Sequence, residues 1–335
     1  MLIFEQQDSA RAQSLRLLVL FALAVAATVA GVHAALALTW WTLLWLPLHL
    51  PFPALFFSVN IGVTLLLILG GWWIEVSNFK QPGGAEQLAR RLGAREARPD
   101  SNESEQRLCN IVDEVCIAAR MPHPLVMVLP RKQAINAMAA GCDEADCVVA
   151  VTQGALDWLT RDELQGMVAH ECSHIQEGDT RLNMELAGMV SGLELVWRFG
   201  DDVRDRGGPA WLVGSIVMAM GSFGWYAGRC LQAAVSRQRE YLADARAVQW
   251  TRSRDGLGGV LRKAMTQQET LVTADDEPQW QTAMQHLLLV PEMAPGGRWL
   301  DAHPPLRERI HRIYGRFMPA LPLKDPANTG QAVAL

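Results

Sequence analysis

The apolar positions of this chain are gathered into blocks rather than spread along its length. From Leu17 to Leu38 no charge interrupts a Leu/Val/Ala-rich run; its roughly 22 residues, at about 1.5 Å each, cross a hydrocarbon core of about 30 Å as one helix. A second uncharged run of similar length extends from Ala54 to Ile74. Between them lie Trp40, Trp41 and Trp45 with Pro47, Pro51 and Pro53, the composition of a connection held at headgroup level by amphipathic indoles. A cleaved leader has a shorter apolar core and no second span behind it, so the pattern predicts an N-terminal membrane anchor over residues 1–80 with transmembrane helices near 17–38 and 54–74.

Basic residues set its direction. Arg11 and Arg16 precede the first run and Lys80, Arg90, Arg91 and Arg95 follow the second, with none between Thr39 and Pro53, so both ends of the hairpin are expected on the cytoplasmic side.

At Gln81-Pro82-Gly83-Gly84 the pattern changes. Leu108, Ile111, Val112, Val115 and Ile117, at mostly three- and four-residue spacing, predict an amphipathic helix over 103–119. Leu125–Leu129, Ala134–Ala140 and Cys147–Thr152 read as short strands. Thr160 with Glu163 three residues on has the form of a capping box, and Gly178 is a natural stop, so a helix of four to five turns lies between them. The chain then turns apolar again, from Leu186 to Phe199 and from Pro209 to Gly228, before a helix containing Ser236 to Asp244. The expected organisation after the anchor is therefore 81–184, an apolar hairpin at 185–230, 231–320 and a tail at 321–335.

Composition narrows the function classes. Half the residues are hydrophobic and 19% are charged, with a formal net charge of -5; no basic stripe offers a nucleic-acid footprint. The six cysteines form no C-x-x-C pair, which suits reduced thiols facing the cytosol. A redox role for Cys142 and Cys147 is a minor alternative.

The chemistry lies on the capped helix. His170-Glu171-Cys172-Ser173-His174 is an H-E-x-x-H sequence, whose two imidazoles project one turn apart toward a common ion while Glu171 is placed to take a proton from the attacking water. Downstream, Glu240 and Asp244 share a helix face. Glu240 can complete a three-ligand zinc site with one open position, and Asp244 can accept the ring N–H of a ligand histidine. Because His170, His174 and Glu240 must meet at one ion, residues 185–230 must cross the bilayer an even number of times, as a full hairpin or as a re-entrant or surface one. Glu194 within the first piece weighs against a simple span.

At these residues the chain resembles the HtpX-like membrane zinc metalloproteases, the wider family that also includes the CAAX prenyl proteases. The resemblance runs through Ile135 to Gly141, Val148 to Gly154, Leu164 to Asp179, Ser236 to Asp244, and His303-Pro304-Pro305 with Arg309-Ile310. It implies an α+β fold, a mainly helical gluzincin-type metalloprotease domain with a small β-sheet plus transmembrane hairpins, with a second transmembrane pair at 185–230. It implies one Zn2+ per chain, polypeptide substrates drawn from membrane or misfolded proteins, and a place in the inner membrane with the catalytic part in the cytoplasm. It puts Asn136, Ala137 and Ala139 on the edge strand along which a substrate lies, Arg309 near the active site, and His303 where it can stabilise an oxyanion or merely hold a Pro-Pro turn. Prenyl-protein processing shares the zinc chemistry but belongs to relatives with many more spans. A non-catalytic, zinc-stabilised membrane scaffold is the alternative of a different class. The Pro-, Gly- and acid-rich stretch from Thr270 to Asp301 reads as a flap beside the site or as an ordinary loop.

Overall fold

The computed structural model describes residues 3–79, 83–141, 146–271, 289, 301 and 303–323. Cys142 and most of the Thr270–Asp301 stretch lie outside them. The chain divides into two compact units, Met1–Asn78 with Met184–Val235 and Phe79–Asn183 with Ser236–Leu335.

The first unit is helical. Helix α1 (Ile3–Trp40) runs through a π-helical turn (Trp41–Trp45) into the short α2 (Leu46–Leu48), and α3 (Phe56–Phe79) returns. The unit also takes most of α8 (Asp179–Arg204) and the first part of α9 (Pro209–Thr251). Among the described residues three helical stretches are long and apolar enough to cross a membrane: Val19–Leu48, Phe56–Ser77 and Pro209–Thr251. Their outward positions carry large apolar side chains, Leu23, Leu66 and Trp73 among them, which water would disfavour and acyl chains accept. At the loop, Trp40 stacks on Phe52 and its indole N–H reaches the Leu50 carbonyl at 3.4 Å.

Helix α8 is not in that set. Its 26 residues include Glu185, Glu194, Arg198 and Asp201, yet it packs closely because glycines let backbones meet. Gly192 lies against the main chain of Ile68 on α3, and the Gly71 position lies 2.9 Å from Gly192 Cα when a Cβ is added to it. Gly200 packs on Met218, Gly221 on Trp197 and Gly228 on Leu193. Those pairs ascend α9 while descending α8, so the two form an antiparallel hairpin closed by the turn at 205–208.

The second unit holds a four-stranded mixed sheet in the order β1-β2-β4-β3, from β1 (Arg95–Glu96), β2 (Leu125–Leu129), β3 (Ala137–Gly141) and β4 (Cys147–Thr152). β2 and β4 run parallel and β3 antiparallel to β4. The central strands are buried nearly throughout, which is why they read as continuous apolar runs. β3 starts three residues later than the apolar pattern suggested, because the Thr152 hydroxyl intervenes. It donates to the Ala134 carbonyl and accepts from the Asn136 N–H, replacing ladder bonds there. β1 had no sequence signal. Its position is fixed by Arg95, whose guanidinium grips the buried Glu105 carboxylate at 2.6 and 2.9 Å.

Helices α4 (Gly84–Arg91), α5 (Glu103–Ala119), α6 (Gln153–Trp158), α7 (Arg161–Gln176), α10 (Arg254–Leu271) and α11 (Leu306–Tyr314), with the start of α8 and the last part of α9, complete this unit. Their apolar faces share one core with the sheet, including Leu108, Ile111, Val149, Met167, Leu261 and Ile310. The α+β, mainly helical class expected from the sequence is the one observed. Helix α7 begins at the capping box of Thr160 and Glu163, both reciprocal bonds being formed. Lys263 of α10 bonds the same Glu163 at 2.7 Å, and Gly166 meets the main chain of Leu257. These contacts hold the motif helix at its start and along its back.

Candidate metal centre

Five separate stretches of the second unit converge at the end of α7. His170 and His174 project from adjacent turns of α7, and Glu240 enters from α9. One donor atom from each of the three lies within 4.8 Å of the others. The two Nε2 atoms are 3.1 Å apart, and they stand 3.5 Å (His170) and 3.4 Å (His174) from the Glu240 oxygens. Ligands about 2.05 Å from a tetrahedral ion sit about 3.3 Å from one another. The Nε2–Nε2 separation is close to that of two corners of such a tetrahedron, and a Glu240 oxygen lies at a similar distance from each ring, Oε2 from His170 and Oε1 from His174.

The far sides of the rings explain which nitrogens face inward. His174 Nδ1 bonds Asp179 Oδ2 at 3.0 Å. His170 Nδ1 lies 3.1 Å from Asp244 Oδ1, in ion-pair contact although poorly aligned for a hydrogen bond. With a carboxylate behind each Nδ1, the proton belongs there and the lone pairs of both Nε2 atoms face each other and Glu240. Acceptors so crowded and buried repel unless a cation lies among them. The residues present therefore fit a divalent metal.

Burial pulls both histidines down, but Asp179 and Glu240 raise His174 well above the usual imidazole range, and Asp244 and Glu240 raise His170. Glu171 lies beside them, buried, and its Oε1 makes no hydrogen bond among the described residues. Burial pushes its carboxyl up against the lowering influence of His170 and His174. A carboxylate with a raised pKa and a free oxygen is suited to accept a proton near neutrality.

Arg309 and His303 flank this group. Arg309 is fully buried and grips Asp244 through Nε at 2.9 Å and Nη2 at 2.6 Å, while Nη1 reaches Glu240 at 3.0 Å. Burial lowers its pKa, but Asp244 and Glu240 outweigh that and raise it, so the guanidinium stays charged and balances the two acids. His303 sets Nδ1 3.3 Å from Glu240 Oε2. Asn136, Ala137 and Ala139 lie on or beside β3, the edge of the sheet; Asn136 Oδ1 accepts the Ala137 N–H at 3.1 Å.

Asp179 was absent from the sequence-based set. It lies just past the end of α7, where Gly178 with φ +70° turns the chain, and it is further tied to Arg239 at 3.0 Å. The spacing H-x-x-x-x-D across a glycine is a weak signal alone, and only the turn brings the carboxylate to the ring.

Fold and site together define a membrane metallopeptidase, and the comparisons agree. Residues 102–316 match the model of peptidase family M48. A protease HtpX homolog of Ligilactobacillus salivarius is 33% identical over 235 residues, covering 65% of this chain and 75% of the relative. Another from Thermoanaerobacter pseudethanolicus is 32% identical over 268 residues, 76% of this chain and 85% of the relative. A third, from Dictyoglomus turgidum, is 33% identical over 223 residues, 64% and 71% respectively. No solved structure matches the chain. The chain belongs to peptidase family M48, among its HtpX-like membrane proteases.

Proposed function

We propose that the chain is a zinc-dependent endopeptidase that hydrolyses membrane or misfolded proteins at the cytoplasmic face of the inner membrane, with His170, His174 and Glu240 as ligands and Glu171 as general base. The observation that carries the reading is the convergence of three donors within 4.8 Å of one another beside a buried carboxylate with an oxygen that makes no hydrogen bond among the described residues. A purely structural metal needs no such neighbour, and closed structural sites take four protein ligands.

When bound, zinc supplies Lewis-acid polarisation and makes the attacking water acidic enough to react near pH 7. Glu171 takes the water's proton and delivers it to the leaving amine. Asp179 and Asp244 hold the imidazoles in one tautomer and orientation. Arg309 balances Asp244 and Glu240, and His303, beside Glu240, is the candidate donor to the oxyanion. The edge of β3 receives the substrate as an added strand.

The α8–α9 hairpin serves as a second membrane pair in this reading. The apolar length of α9 supports it, as do the glycine contacts that pack the more polar α8 against α3 and α9. A Gly207→Cys variant in intact cells should then react with a membrane-impermeant maleimide from outside; reaction only after lysis would make the hairpin re-entrant or superficial.

The test of the whole reading uses purified protein and casein. Chelation should abolish cleavage, zinc should restore it, and Glu171→Gln should bind zinc without cleaving. A folded, zinc-bearing wild type that cuts no unfolded substrate would replace the enzyme by a scaffold. Retained proteolysis in Glu171→Gln would remove Glu171 from its role.

A further inference from the structure

The edge strand already carries a guest. Asn136 turns its main chain toward β4, its carbonyl accepting the Thr152 N–H at 3.1 Å. Strand alternation therefore turns the peptide groups of Ala137 and Ala139 outward. The outward Ala137 carbonyl accepts the N–H of Leu289 at 3.0 Å. The Leu289 carbonyl in turn accepts Arg309 Nη1 at 2.9 Å, the same nitrogen that lies 3.0 Å from Glu240 Oε2. One guanidinium thus links the main chain of Leu289 to a candidate ligand. The side chain is 1% exposed and belongs to the apolar core that includes Ala139, Leu306 and Ile310.

An extended substrate residue at this edge needs three things: an acceptor for its N–H, a donor for its C=O and an apolar place for its side chain. Leu289 has all three, next to the metal centre. We propose that Leu289 occupies a substrate subsite for a large aliphatic residue, and that an incoming polypeptide displaces it. This rests on the peptidase reading of the same site. The apparent affinity for substrate is then reduced by the fraction of molecules in which Leu289 is in place. The pocket vacated by Leu289 favours leucine-like residues in the incoming chain, and Arg309 passes its Nη1 hydrogen bond from one carbonyl to the other.

The experiment reads binding rather than cleavage, so its failure leaves the peptidase reading standing. In full-length, zinc-loaded Glu171→Gln protein, fluorescein-labelled β-casein should bind at least about fivefold more tightly when Leu289→Asp is added. Equal or weaker binding by a folded double variant would overturn the proposal. In the same variant a glycine-rich decapeptide with a central leucine should displace the casein better than one with a central serine; equal competition would remove the aliphatic subsite. A second measurement does not depend on Leu289→Asp folding. In the Glu171→Gln, Leu289→Cys variant, maleimide labelling at position 289, read by mass spectrometry of peptides, should accelerate about fivefold or more with saturating β-casein. An unchanged rate would show that Leu289 is a fixed part of the core.

Discussion

Asp179 gives the sharpest quantitative expectation. It is nearly fully buried and makes two charged contacts, with His174 Nδ1 and with Arg239, each at 3.0 Å. A hydrogen bond to a charged group contributes about 1.5–3 kcal/mol, and loss of a carboxylate behind a ligating histidine weakens metal binding about 10–100-fold. Those ranges agree, since about 1.4 kcal/mol is tenfold. Asp179→Ala should therefore lower zinc affinity about 10–100-fold, while Asp179→Asn, which keeps an acceptor for the ring N–H, should lose less. Competition against a chromophoric zinc chelator in detergent solution measures this directly, with His174→Ala as the reference for a lost ligand. Asp244 is a poorer place for the test, because removing it also leaves the buried Arg309 short of a partner and unsettles the fold. Wild-type affinity in Asp179→Ala, alongside lost binding in His174→Ala, would refute the claim that this carboxylate orients the ring.

Glu105 links stability to pH. Its hydrogen bond with Arg95, opposed by burial and aided by the Arg98 N–H, holds the carboxyl below the usual range, so its folded pKa lies under an unfolded value of about 4.3. The stability it confers is fully present above that value and is lost as pH falls through the folded pKa. Glu105→Gln should lower the unfolding temperature at pH 7 and flatten the acid limb, as read by thermal unfolding at pH 7 and pH 4; parallel curves for the two proteins would contradict this. Gly192→Val should separate α3 from α8, because its side chain would collide with the main chain of Ile68, a strain of about 1–3 kcal/mol or more. Thermal unfolding in detergent should drop by several degrees, and an unchanged midpoint would show that this close approach is dispensable.

The parts of the molecule legible from sequence were those set by local physics. The first uncharged apolar run falls within α1 and all but the first two residues of the second fall within α3, because length and lack of charge suffice for a span. The motif helix follows from Thr160 and Glu163, whose capping bonds need no distant partner. Strands β2 and β4 showed as short apolar runs. What stayed hidden depends on contacts between remote residues. β1 is two residues long and exists because Arg95 clamps Glu105. α8 is one continuous helix through charged positions because glycines on α9, and Gly192 facing α3, supply the packing its composition does not advertise. In the site, H-E-x-x-H announces itself, and Glu240 and Asp244 follow from the need for a third ligand and an orienting acid. Arg309 was expected near the site, but its grip on Asp244, 65 positions away, is a tertiary fact. Asp179 needed the left-handed turn at Gly178 before its carboxylate could meet His174.

The convergence of two imidazoles and one distant carboxylate on a single cation is tested most directly by metal analysis of purified wild type beside Glu240→Ala, with folding followed by thermal unfolding. Wild type should carry about one zinc per chain, the tetrahedral site holding a single ion, and the folded variant should lose nearly all of it. A folded Glu240→Ala protein that keeps its zinc with undiminished affinity would contradict the assignment.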